Sequence, residues 1–542
     1  MAFVPPRDSG LTSQLASTNS QSPRQPHARG VLLALGILCA GLANSGEEAG
    51  PLSERRDIFV RDYRIEGNTV LSPLSISEVL ETHVGRGVSA QELLVLRERL
   101  TLLYVEAGYV NSGFVIPEQN VADGIVRLQA IEGVLDGTEI RGLDRLPESF
   151  IRERIDDNAR PFNMLDLQEQ LQLLLKDPRI ERINSELKPG IAPGHAWLLL
   201  TVTEARPWNV TLILDNHRPP SIGSTEGRIR FNHFNLTGRA DEFIYDLGVT
   251  EGLTDLVMAY AYPVAPNTQL GIGFQINNAT VIEEPFDQID IASVTNDLGV
   301  NLNHVFVNSL DRKVTGRIVL EKRHGETELL NIPFSFAPGV ENGKSDVSVL
   351  RFQVDWQERR PGQVLAAQLQ ISQGLDAFGA TENPGSVPDS DFTTFLGQIQ
   401  YLRSVLGDSQ LRLRGAGQLA LDPLLPIEKF VIGGADTVRG YRQNQFVRDN
   451  GWFVSAELQM PLLRKYGINW AAFADYGRAW NEQPFRIPGN RTLSSVGLGL
   501  VWQGTPGWYG QLYWGYALDD VSEPSDHDLQ DDGITFLITW TL

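Results

Sequence analysis

"EKFVIGGADTVRGYRQ", Glu428 to Gln443, sets Arg439 between a β-branched valine and a glycine, in a stretch otherwise made for strand and turn. In water that arginine is one more solvated charge. Inside a membrane barrel it is costly and needs a partner. The neighbouring "INWAAFADYGRAW" (468–480) offers a candidate, with a solvated charge as the alternative reading of either residue alone. Ile468, Trp470, Ala472 and Ala474 share a face suited to lipid, while Asn469, Ala471, Phe473 and Asp475 share the other. Asp475 therefore points into a confined interior, where a carboxylate wants a cation. Arg439 sits on a loop that Gly440 lets bend sharply, and a bidentate pair with Asp475 would pin that loop inside.

The chain from Trp208 to Leu542 reads as strand and turn throughout. In "WNVTLILDNH", Trp208, Val210, Leu212 and Leu214 alternate with Asn209, Thr211, Ile213 and Asp215. "SSVGLGLVWQG" sets Val496, Leu498, Leu500 and Trp502 against Gly497 and Gly499. The closing "GITFLITWTL" sets Ile534, Phe536, Ile538, Trp540 and Leu542 mostly against threonine. Strands of about ten residues, apolar on one face and small or polar on the other, describe an outer-membrane barrel; soluble sandwiches use strands of about five or six. The 335 residues from Trp208 onward accommodate about sixteen such strands.

Before that, Ile58 to Arg206 mixes helical and strand periods and repeats itself after about 75 residues, Ile65-Glu66-Gly67 matching Ile140-Arg141-Gly142. Each copy continues with two helical patterns and two strands, a β-α-α-β-β unit. Leu93, Leu96, Leu100 and Leu103 recur at helical spacing, and Ser89 is a plausible N-cap. The edges open to strand addition are expected near "NSGFVIP" and "RINSELK".

A net charge of −21 argues against nucleic acid, whose binding rests on Lys and Arg. No apolar window is long enough for a spanning helix. "VLLALGILCAGLA" (31–43), with Arg24 and Arg29 before it and small residues after, has the layout of a signal peptide cleaved near Ala43 or Ser45. The single cysteine, Cys39, lies inside it. There is no H-E-x-x-H, G-x-S-x-G or Walker pattern, the eight histidines are scattered, and "GAGQLA" is a small-residue strand. "DHDLQDD" (526–532) reads as a solvated extracellular turn in preference to a calcium loop. No catalytic residue, metal or cofactor is expected, and the chain is not read as an enzyme.

"LPIEKFVIGGADTVRGY" (425–441) resembles the hallmark segment of the outer-membrane assembly and secretion superfamily, its VRGY motif being Val438, Arg439, Gly440 and Tyr441. "FADYG" matches that superfamily's F-x-D-x-G motif at Phe473, Asp475 and Gly477, and the two β-α-α-β-β units resemble its POTRA domains. A strand ending in Gly-Gln, a Leu-Pro turn and Glu-x-Phe in "RLRGAGQLALDPLLPIEKFVIGG" are more similar to the two-partner secretion branch, the haemolysin secretion/activation transporters.

The resemblance implies a transmembrane β-barrel of about sixteen antiparallel strands in the bacterial outer membrane, with two periplasmic α+β POTRA domains before it. Its sixth extracellular loop would fold into the lumen, where Arg439 meets Asp475. The domain order expected is a tail and signal peptide (1–45), a linker (46–56), POTRA 1 (57–133), POTRA 2 (134–206) and the barrel (207–542). The implied function is passage of an unfolded haemolysin- or adhesin-like exoprotein to the cell surface without ATP. Expected partners are that cargo, outer-membrane lipid and the barrel assembly machinery that inserts the protein. Many family members carry a plug helix, for which 46–56 is too short. The rival reading is an assembly factor that inserts other barrels, which more POTRA repeats would favour; a passive porin or receptor would need neither POTRA units nor VRGY.

Overall fold

Ser89 caps the helix Ala90–Glu106 with a reciprocal box: its hydroxyl accepts from the Glu92 amide, and the Glu92 carboxylate accepts from the Ser89 amide. That helix buries Leu93, Leu96, Leu100 and Tyr104 against the sheet strands Asp62–Glu66 and Ile125–Ile131 through Val126 and Leu128. The computed structural model describes residues 57–121, 123–482, 491–521 and 526–542, which divide into two compact units, 57–205 and 206–542. The expected signal peptide, with Cys39, and the linker expected to be too short for a plug helix lie outside the described residues.

In the first unit, Asp62–Glu66 pairs parallel with Ile125–Ile131, which pairs antiparallel with Gly113–Val115 at the sheet edge. The repeat has the same order: Val134–Arg141 parallel to His195–Glu204, with Ile180–Pro189 antiparallel at the edge. Both expected edges are thus sheet edges. One difference appears in the first copy. The opening run breaks at Arg61, and Asp57–Val60 pairs with Arg86–Ser89 in a separate two-stranded sheet. The four residues Arg86–Ser89 are too few to display a period, which is why the sequence shows no strand between the two helical patterns. The repeats are stapled by Asn111 Nδ2 to the Gly194 carbonyl at 2.8 Å and by the Phe162 amide to the Gly133 carbonyl at 2.7 Å.

The second unit is a closed antiparallel barrel of sixteen strands, from Trp208–Asp215 to Ile534–Thr541. First and last strands meet between Thr211↔Thr541 and Asp215↔Leu537, with the Leu542 amide donating to the Val210 carbonyl at 2.9 Å. Alternation sends Leu212, Leu214, Val496, Leu498 and Leu500 outward, exposed. The strands are not uniformly ten residues long. Ile291–Asn308, Arg312–Leu329 and Lys344–Arg360 run to 18, 18 and 17 residues. At about 3.3 Å per residue and a tilt of about 40°, 18 residues rise roughly 45 Å, well beyond an apolar band of about 25 Å. Their outer ends stay paired because the outward face turns ionic: Lys344 Nζ meets Glu326 at 2.8 Å and His324 Nδ1 meets Asp346 at 3.0 Å.

Candidate functional site

The chain enters the barrel at the Trp208 end, so the loop 421–449, between the eleventh strand Gln410–Ala420 and the twelfth Asn450–Leu463, is the sixth on the opposite side. Its first limb turns inward through Leu424 and Leu425, fully buried against Val347, Val349 and Phe392. The limb crosses a short hairpin, Phe430–Ile432 with Phe446–Arg448. At the tip, the Gly433 amide donates to Thr437 Oγ1 at 2.8 Å and the Gly434 amide to the Val438 carbonyl at 3.0 Å.

The structure brings Arg439 and Asp475 together. Arg439 Nε donates to Asp475 Oδ2 at 2.8 Å and Nη2 to Oδ1 at 2.9 Å, a two-pronged contact, and the Arg439 amide adds a bond to Oδ2 at 3.1 Å. Arg439 Nη1 donates to Glu457, and Nη2 to Ser455 Oγ at 3.1 Å. The guanidinium lies 3.6 Å from the Phe473 ring centroid, with Tyr513 on a second side at 4.8 Å. Tyr513 Oη and Gln459 Nε2 both donate to the other Glu457 oxygen, at 3.0 and 2.7 Å. Arg439, Asp475 and Glu457 are 2%, 3% and 2% exposed, and each of the four carboxylate oxygens accepts at least one hydrogen bond.

The motif residues around it have separate tasks. Gly440 takes φ +87°, and a Cβ there would stand 2.9 Å from the Gly515 backbone, so only glycine lets the loop lie against the fifteenth strand, Trp508–Ala517. Gly477 leaves room for Val438, whose Cγ2 would be 2.9 Å from an added Cβ. Tyr441 is buried, donating to the Ser494 carbonyl at 2.7 Å and accepting from the Asp519 amide at 3.0 Å.

A second ionic cluster holds the loop's other limb. Glu428 Oε1 receives Arg323 Nη1 at 2.8 Å and Arg351 Nη2 at 2.9 Å. Arg323 also donates to the Ile427 carbonyl at 2.7 Å and pairs with Asp297, while Arg351 Nε takes Glu321 at 2.7 Å and its Nη1 takes Ser372 Oγ at 2.8 Å. Gln418 Nε2 donates to the carbonyls of both Glu428 and Asp449, tying the two limbs to the eleventh strand. One residue past VRGY, Arg442 reaches Glu283 and Asp531, linking the loop to two others. The 526–532 turn is therefore not simply solvated: Asp531 is taken up by Arg442, and Asp528 accepts from Ser224 Oγ at 2.6 Å. Among the described residues no group of side chains is arranged to hold a metal ion.

Glu457, Ser455, Tyr513, Arg323 and Arg351 were absent from the sequence expectations, and Glu428 entered only as part of the Glu-x-Phe resemblance, with no partner assigned. Parity exposes most of them. Glu457 shares its face with Phe453 and Ser455, Arg351 with Val347 and Val349, and Arg323 with Val319, so each charge sits on an inward row.

A family model described as haemolysin secretion/activation protein ShlB/FhaC/HecB matches residues 194–501, and one described as POTRA domain, ShlB-type, matches 58–133. The hemolysin transporter protein ShlB of Serratia marcescens is 25% identical over 442 residues, covering 77% of this chain and 75% of that one. The outer membrane transporter CdiB-2 of Burkholderia pseudomallei (strain 1026b) is 21% identical over 493 residues, covering 84% and 76%. CdiB from Escherichia coli shares the fold at a TM-score of 0.66, with 18% identity over 98% of this chain and 97% of that one. A sixteen-stranded barrel with an inward loop, a POTRA-type unit before it and a match over more than half its length lead to one conclusion: the chain belongs to the ShlB/FhaC/HecB haemolysin secretion/activation family of outer-membrane transporters.

Proposed function

We propose that the protein is a two-partner secretion pore that takes one or a few large exoproteins, unfolded, from periplasm to cell surface. The observation that carries this reading is the inward-folded sixth loop. A barrel with its sixth loop pinned inside by two buried ionic clusters is not a passive pore. The cargo's extended segment adds to the edges Gly113–Val115 and Ile180–Pro189, where backbone groups are available. Arg439 and Asp475 anchor the loop and make or break no covalent bond. Residues 57–133 and 134–206 act as two POTRA units, and the barrel assembly machinery inserts the protein. The likeness to the hemolysin transporter ShlB and the outer membrane transporter CdiB-2 supports a secreted exoprotein as the cargo.

Deleting the protein and comparing surface and secreted proteins with the total set of outer-membrane barrels tests this. Loss of one or two large β-rich proteins from outside, with barrels at normal levels, is expected. A general fall in barrels would sink the reading in favour of assembly.

A further inference from the structure

The lipid-facing wall carries a feature that transport does not use. Laterally paired outward residues form one row across five strands: Leu369, Gly397, Gly417, Trp452 and Arg478. Two of the five have no side chain, so the wall is dented between Leu369 and Trp452 into a trough of about 500 Å³ with an almost wholly apolar lining. Ile371, Phe395 and Leu419, the next outward row, form one rim, and Trp452 and Trp480 close an end.

The row is not level. Taking about 3.3 Å per residue and a tilt of about 40°, Arg478, ten residues along the strand from Ile468, stands roughly 25 Å above the periplasmic end. Leu369, six residues from Gln363, stands roughly 15 Å above it. The trough thus climbs from mid-membrane to the extracellular rim. Just beyond the end closed by Trp452 and Trp480 stands the exposed guanidinium of Arg478, 5.9 Å from the Trp480 ring, with no carboxylate paired to it among the described residues. A cation at the outer rim above an apolar trough matches an amphiphile with an anionic head and acyl chains.

At that height the outer leaflet of such a membrane is built of phosphorylated, multiply acylated glucosamine; phospholipid heads lie chiefly at the opposite, periplasmic end. Building on the outer-membrane location, we propose that the trough is a lipid A site: Arg478 takes a phosphate, Trp452 and Trp480 pack against the sugar, and one acyl chain lies over Gly397 and Gly417. An arginine fork suits a phosphate, and indole rings suit the interface.

The test is native mass spectrometry of the full chain in detergent, titrated with lipid A and, separately, with phosphatidylglycerol. One lipid A should be retained per protein, with phosphatidylglycerol bound about tenfold more weakly. Arg478→Glu should weaken lipid A binding by about tenfold or more. Gly397→Leu should do the same by filling the trough; an added Cβ there meets only Leu369 Cδ2, at 3.7 Å, so the barrel should accept it. Folding is read from the mobility of the unboiled barrel, and if Gly397→Leu fails to fold, Arg478→Glu decides alone. Wild-type affinity in either folded variant, equal binding of phosphatidylglycerol, no retained lipid, or a protein dimer without lipid would each overturn the proposal.

Discussion

Arg439→Ala removes the cation that joins two carboxylates, Asp475 and Glu457, which are 3% and 2% exposed, and leaves only Glu457 with a second arginine, Arg412 at 3.8 Å. It deletes the two-pronged contact with Asp475, the bonds to Glu457 and Ser455, and the stacking on Phe473 at 3.6 Å. Breaking a buried pair from one side costs about 3–5 kcal/mol, chiefly because the charge left behind has no compensation. The loss falls on the loop, since the sixteen-stranded ladder closes without residues 421–449. At about 1.4 kcal/mol per decade, the ratio of docked to undocked loop should fall by roughly a hundredfold to four-thousandfold. Barrel insertion should be normal, hydrogen exchange should accelerate from Gly433 to Tyr441, protease should nick the loop in intact cells, and secretion of the cargo should drop. Asp475→Asn leaves Arg439 paired with Glu457 and should cost less, about 1.5–3 kcal/mol. Unchanged exchange in a folded Arg439→Ala barrel would mean that the Glu428 cluster holds the loop unaided. Normal secretion with the loop undocked would separate the loop from transport altogether.

Glu428→Gln should loosen the other limb by about 1.5–3 kcal/mol, since Arg323 keeps Asp297 and Arg351 keeps Glu321; combined with Arg439→Ala it should release the whole loop, read by exchange across 421–449. Gly440→Ala should undock the tip through a positive φ worth about 1–3 kcal/mol and a clash with Gly515; a wild-type exchange pattern would refute the close approach. In the first POTRA unit, the Ser89 amide, Arg86 and the Ser89 hydroxyl hold the Glu92 carboxyl down at about 2. A folded pKa below the unfolded one, about 4.3, stabilises the helix cap fully above that value and progressively less as pH falls towards 2. Exchange at the start of Ala90–Glu106 should rise over that range, and Glu92→Gln should flatten the dependence.

How much of this was legible depends on how far each interaction reaches along the chain. Ser89 adjoins the helix it caps and could be read directly, while its partner Glu92, three residues on, emerged with the structure. The outward apolar rows were legible because lipid imposes a strict period of two over eight or more residues. The site was legible by halves. Arg439 and Asp475 lie 36 residues apart on flanking segments, and the facing parity of Asp475 pointed to a cation, yet resemblance was needed to choose which one. Glu428, inside the stretch first singled out, reaches Arg323 and Arg351 across 105 and 77 residues. Parity places those arginines in the lumen, but it cannot say how high in the barrel each stands, because strand lengths vary from 8 to 18 residues and set the stagger. The loop's inward course adds a further freedom that no periodicity encodes. What decides it is the need of eight charges, Asp297, Glu321, Arg323, Arg351, Glu428, Arg439, Glu457 and Asp475, to find one another out of water. That need is visible in the sequence only as an excess of ionic residues on faces that a simple pore would leave wet.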